Sequence, residues 1–119
     1  MNTIPIYDDS SPITCTATGD EVSERLETIE RLHDDLVRVD RTEHGLVLHF
    51  PHREDIEAEL RRFAVDEKGC CQFWGFEVRV ADGGLQLRWD GPPAVRDFMD
   101  RLHAYFEGDE PVTAVDGLL

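Results

Sequence analysis

The chain predicts an α+β fold: a single domain whose largely antiparallel sheet carries three helices packed mainly on one face. Apolar residues recur at helical spacing over 22–36, 56–64 and 95–106. Between those stretches lie two pairs of short segments that alternate at period two, 37–50 and 74–89. Every strand candidate is apolar on one side only, which calls for a sheet covered on one face and wet on the other.

Residues 1–12, with Asp8-Asp9-Ser10-Ser11-Pro12, hold no sustained period and read as a loose leader. Ile13 to Ala17 is a short strand candidate. Thr18 stands three residues before Glu21, as in a capping box, with Asp20 as the other choice of cap, so a helix should begin here. Its stripe is Val22, Leu26, Ile29, Leu32 and Leu36, with Glu24, Glu27, Arg31 and Asp34 mostly on the other side. Val37–Arg41 and Leu46–Phe50 then form a hairpin around Glu43-His44-Gly45. Pro51 ends that hairpin, and Glu54 and Asp55 place acids in the first turn of a second helix, where they complement its dipole.

Ile56, Leu60, Phe63 and Ala64 form the stripe of the second helix, and Gly69 is its expected C-cap. Trp74, Phe76, Val78 and Val80 alternate against Glu77 and Arg79, and Asp82-Gly83-Gly84 turns the chain into Leu85–Trp89, a second hairpin. Gly91-Pro92-Pro93 starts a third helix with the stripe Val95, Phe98, Met99, Leu102 and Phe106. The expected domain is therefore 13–106, followed by an acidic tail over 107–119. One core should gather Leu26, Ile29, Leu32, Ile56, Leu60, Phe63, Phe76, Val78, Leu87, Phe98 and Leu102.

With 119 residues, the chain is long enough for one real core. Its 26 acidic residues against 12 basic ones, of which only Lys68 is lysine, leave a net charge of -14. Such a surface repels phosphate backbones and anionic membranes, so neither nucleic acid nor a membrane is an expected partner of this domain; a protein partner or a second copy remains open. Abundant carboxylates with arginine in place of lysine suit a salt-loaded, halophilic cytoplasm, where mutual repulsion is screened. No charged segment followed by an apolar run opens the sequence, and its apolar runs are too short to span a bilayer. A cytoplasmic location is expected, in which an odd number of cysteines, 3, would stay reduced.

The cysteines carry the most specific chemical signal. Cys70 and Cys71 are adjacent, between the second helix and an aromatic strand, and Cys15 is the third thiol. Three thiolates suit a trigonal site for a soft ion such as Hg(II), As(III) or Cu(I), whereas structural zinc usually takes four ligands. Cys15, just ahead of a helix, would have its thiol acidified by the positive end of the dipole. In an extended strand adjacent side chains point to opposite faces, so Cys70 and Cys71 can share an ion only where the backbone bends, for which Gly69 is placed. His49 and His52 flank a corner, but a zinc site using them has no standard spacing, and exposed loop histidines explain them more simply.

The segment Glu67-Lys68-Gly69-Cys70-Cys71-Gln72-Phe73-Trp74-Gly75-Phe76 resembles the Glu-x-x-Cys-Cys-x-Phe-x-x-Phe run of small, uncharacterised prokaryotic proteins. Related domains of that group resemble additions to heavy-metal-responsive regulators. The resemblance extends to a cysteine before the first long helix, matched by Cys15, and to the Gly91-Pro92 turn, and so spans roughly 13–106. It implies a soft-metal association through Glu67, Cys70, Cys71 and Cys15. The position after the pair is often proline in that group and is Gln72 here, which keeps an N–H donor and loosens the turn.

Two other classes compete. Cysteine is among the most buried residue types, so the three thiols can be core residues of a non-catalytic interaction domain. Alternatively, Cys70 or Cys71 with Asp66 or Glu67 would make a thiol-dependent enzyme acting on a metal–carbon bond or a redox substrate. No phosphate loop, nucleophile elbow or metalloprotease helix is present, and no catalytic or cofactor-binding residue is assigned. The salt inference has a direct test: at a charge of -14 the melting temperature should rise from dilute buffer to molar KCl. A flat or falling curve would remove it.

Overall fold

The computed structural model describes residues 6–7, 19–70, 73–81 and 83–108, with backbone only for 19–23 and 70. The expected strand over 13–17 and the tail beyond 108 lie outside the described residues. Three helices and a four-stranded antiparallel sheet form one α+β domain. The first helix, α1, covers Gly19–Asp35 and turns Ile29 and Leu32 fully into the core, with Leu26 and Leu36 half-buried beside them.

Strands β1 (Arg38–Arg41) and β2 (Gly45–Pro51) form the first hairpin, closed by a Thr42 N–H bond of 2.8 Å to the Gly45 carbonyl. Helix α2 (Glu54–Cys70) follows, with Glu54, Asp55 and Glu57 in its first turn, the end where negative charge is favoured. Strands β3 (Gly75–Ala81) and β4 (Gly84–Asp90) are joined by a two-residue turn whose Gly83 has φ of 76°, a conformation that L side chains resist. A 3₁₀ turn at Pro93–Val95 leads into α3 (Arg96–Phe106).

Strand order is β1-β2-β4-β3, so β2 pairs with β4 and α2 carries the chain across to the far edge. The register sets Leu46, Leu48 and Phe50 opposite Trp89, Leu87 and Leu85, which in turn face Phe76, Val78 and Val80. These residues share one face because cross-strand partners point the same way. The opposite face presents Arg38, Asp40, His49, Gln86, Arg88, Glu77 and Arg79, all exposed or half-buried. All three helices therefore cover the apolar face, and every expected core residue lies in or against a single buried cluster.

Aromatic rings lock this layer. Trp74 and Trp89 are fully buried and meet edge to face at 5.4 Å; Phe63 stands 5.5 Å from Trp89, and Phe98 5.7 Å from Trp74. Such pairs add orientation preference to the area they bury. His33 of α1 stacks obliquely on Tyr105 of α3 at 5.0 Å, which ties the outer helices together.

Two details differ from simple expectation. Gly69 does not cap α2; the helix runs on through Cys70, and Gly69 is absent from the positive-φ glycines. Lys68 donates a 2.7 Å hydrogen bond to the Trp74 carbonyl and so ties the helix end to the following segment without a left-handed glycine at that point. Within the leader, Ile6 and Tyr7 are tied down: the Ile6 N–H bonds the buried Asp90 carboxylate at 3.2 Å, and Tyr7 packs on His44 at 5.7 Å. A side chain at Gly75 would sit only 2.0 Å from the Ile6 carbonyl, so the leader crosses there because Gly75 has none.

No described helix is long and apolar enough to cross a membrane. Leu60, fully buried at the centre of α2, makes the packing testable. Leu60→Ala should lower unfolding free energy by about 2–5 kcal/mol in denaturant titration, the range for a large-to-small core change.

Candidate functional site

Continuing the α2 stripe Ile56, Leu60, Phe63 by four residues reaches Glu67, so helical periodicity itself drives a carboxyl into the core. Its side chain is 0 % exposed, and Arg25 of α1, itself buried, stands against it with Nε 3.1 Å from Oε1. That approach is an ion pair by distance, yet neither Glu67 oxygen has a hydrogen-bond partner among the described residues. Burying a carboxyl without such bonds disfavours its charged form.

Burial pushes the Glu67 pKa up from 4.5 to about 7; Arg25 pulls it down and Asp66, with like charge, pushes it further up. Desolvation thus outweighs the adjacent guanidinium. The carboxyl lines a cleft of about 600 Å³ between α1 and α2, whose walls include Thr28, Arg31, Glu59 and Phe63. Arg31 and Glu59 approach at 3.5 Å across that cleft.

The cysteines fare differently. Cys70 closes α2, one helical turn beyond Glu67; its side chain, like Cys71 and Cys15 altogether, lies outside the described residues. The expected meeting of Cys15 with the pair lies outside them too. His49 and His52 do not converge: His49 Nε2 is 2.9 Å from Asp40, and His52 Nε2 is 3.5 Å from Glu57. Among the described residues, no three His, Cys, Asp or Glu side chains come together as a metal-ligand set.

Sequence reasoning missed Arg25 as the partner of Glu67. The available signal was Glu67 itself, a carboxyl in register with an apolar stripe, which demands a compensating group from another element. No protein-family model, curated protein or solved structure matches the chain.

The raised pKa fixes a pH dependence. A carboxyl that holds its proton more tightly when folded contributes stability fully below pH 4.5, and that contribution is lost as pH rises through about 7. Glu67→Gln stays neutral throughout, so its stability relative to the parent should grow by about 1–3 kcal/mol from pH 4 to pH 8. Paired denaturant titrations at the two pH values measure this; a constant difference would mean that Glu67 ionises like an exposed carboxyl.

Proposed function

We propose that the chain captures or senses a soft metal or metalloid ion through Cys70 and Cys71, with Cys15 as a third ligand, inside a reducing cytoplasm. The observation that carries this reading is Glu67, a buried carboxyl titrating near neutrality one turn before Cys70 on the same helix. Strongly shifted ionisable groups of this kind cluster at functional sites, because an apolar residue would fill such a position at lower cost.

Thiol ligands must lose protons when they take a metal. A carboxyl with pKa about 7 is half ionised at neutral pH and can accept such a proton, which a surface carboxylate, already stripped of its own affinity for protons, does poorly. The Glu-x-x-Cys-Cys resemblance supports the same three positions, Glu67, Cys70 and Cys71.

Metal retained after desalting tests the proposal. Protein incubated separately with Hg(II), As(III) or Cu(I) should hold one equivalent of at least one of them; Cys70→Ser and Cys71→Ser should each abolish retention, and Cys15→Ser should weaken it about tenfold or more. Thermal unfolding of each variant separates lost ligands from a lost fold. Full retention by a protein lacking both adjacent cysteines would end the metal reading, and thiols that resist a small reagent until unfolding would favour the core-residue alternative.

A further inference from the structure

Strand β3 has β4 on one side and, among the described residues, no strand on the other. An open edge is a template for pairing, and chains usually blunt it with charge, brevity or cover. The other edge, β1, is blunted: it has four residues, Arg38-Val39-Asp40-Arg41. By contrast β3 has seven, and two of the three exposed large apolar residues among those described lie at or beside it, Val80 at 51 % and Val65 of α2 at 71 % exposed. Between α2 and the start of β3 runs an open groove of about 650 Å³, lined by Ile6, Ala64, Val65, Gly69, Gly75 and Phe76 together with Lys68.

We propose that a second copy of this chain occupies that edge, the two β3 strands pairing antiparallel about a two-fold axis at Val78. The sequence of the strand selects both the occupant and the register. Its charged pair, Glu77 and Arg79, points to the face away from the helices and is more than two-fifths exposed at each residue, 46 % and 60 %. A two-fold axis at Val78 sets Glu77 opposite the second copy's Arg79 and Arg79 opposite its Glu77. An axis at residue 77 would oppose two glutamates, an axis at 79 would oppose two arginines, and an axis between residues would set apolar side chains against charged ones. Only the Val78 register is complementary on both faces.

Hydrogen bonding agrees with that register. Ala81 and Gly84 close a two-residue loop and therefore exchange both their backbone bonds, after which the ladder alternates. The N–H and C=O groups of Phe76, Val78 and Val80 consequently face the open edge. Pairing about Val78 joins Phe76 to the second copy's Val80 through those groups and leaves Glu77 and Arg79 at the sites between them, where opposed side chains come closest. On the helix side, each copy's exposed Val80 then lies against Phe76 and the mouth of the other's largely apolar groove. Ile6 crosses over Gly75 and Asp90 on the sheet's charged face, at the end of β3 away from Val80.

Long-range repulsion between two chains of charge -14 opposes this contact, and about 1 M KCl removes most of it by shortening the Debye length to about 3 Å while groups in contact still interact. Sedimentation equilibrium in that salt should give twice the chain mass of 13.6 kDa, with Kd about 10 μM or tighter. Val80→Lys and Arg79→Glu should each raise Kd at least tenfold, and the swap Glu77→Arg with Arg79→Glu should restore it to within about threefold of the parent. Because Glu77 also faces Arg88 within its own chain, the swap is compared with its own thermal melt, while Val80→Lys leaves every charge pair in place and is an independent arm. A parent chain that stays monomeric at about 100 μM, as it would were residues 13–17 to cover this edge, overturns the proposal. A dimer indifferent to both single substitutions overturns it as well, and a swap that folds without restoring the dimer overturns the Val78 register.

Discussion

Pairing of β2 with β4 is the interaction on which the architecture depends. Each hairpin forms from residues close in sequence, but neither alone buries an apolar face, and two-stranded hairpins are marginal in water. Joining Leu46, Leu48 and Phe50 to Trp89, Leu87 and Leu85 makes one four-stranded surface wide enough for three helices. The same junction forces the topology: with β4 between them, β2 and β3 run parallel, and α2 must cross the sheet to connect them. That crossing presses Phe63 onto Trp89 and brings the end of α2 to the far edge.

Within this frame Glu67 is the conflict. The helix that supplies Ile56, Leu60 and Phe63 to the core also brings a carboxyl inward, and although the Arg25 guanidinium stands 3.1 Å from it, neither carboxyl oxygen has a hydrogen-bond partner among the described residues. Here desolvation exceeds Coulomb attraction, as it does for buried pairs of imperfect geometry. The consequence is a group that changes charge near neutral pH inside a cleft between α1 and α2. Asp90 has a different balance: equally buried, it receives hydrogen bonds from Arg88 at 2.8 Å and from the Ile6 N–H, and it fastens the leader.

Periodicity made most of the fold legible. The stripes of α1, α2 and α3 and the alternation of four strands each report a local geometric rule, and the core residues they name are buried together. Strand order was not legible, because nothing in residues 45–51 or 84–90 states that they pair with each other in preference to their hairpin partners alone. The end of α2 was misread at Gly69 because glycine marks a cap only when the chain needs a left-handed turn, and Lys68 holds the following segment by a side-chain bond instead. Glu67 was legible as part of a Cys-Cys motif but not as a buried group, and Arg25 was invisible, since ion-pair partners from different helices leave no spacing to read.

Helix α2 joins the two functional proposals physically. Residues 63 and 67 are four apart and share its inward face, while Val65, two residues from each, is turned roughly 200° away and lies beside the open edge of β3. Cys70 ends the same helix. A rigid element of this kind cannot shift at its C-terminal turn without moving both the Glu67 carboxyl in the cleft and the Val65 wall of the groove. Ion capture at the cysteines and pairing at β3 would therefore influence each other only if the ion moves α2; if α2 stays fixed, neither has a differential interaction with the other and the two events are independent. Dimer affinity measured with and without bound Hg(II) distinguishes these cases, since any coupling must change the two affinities by the same factor.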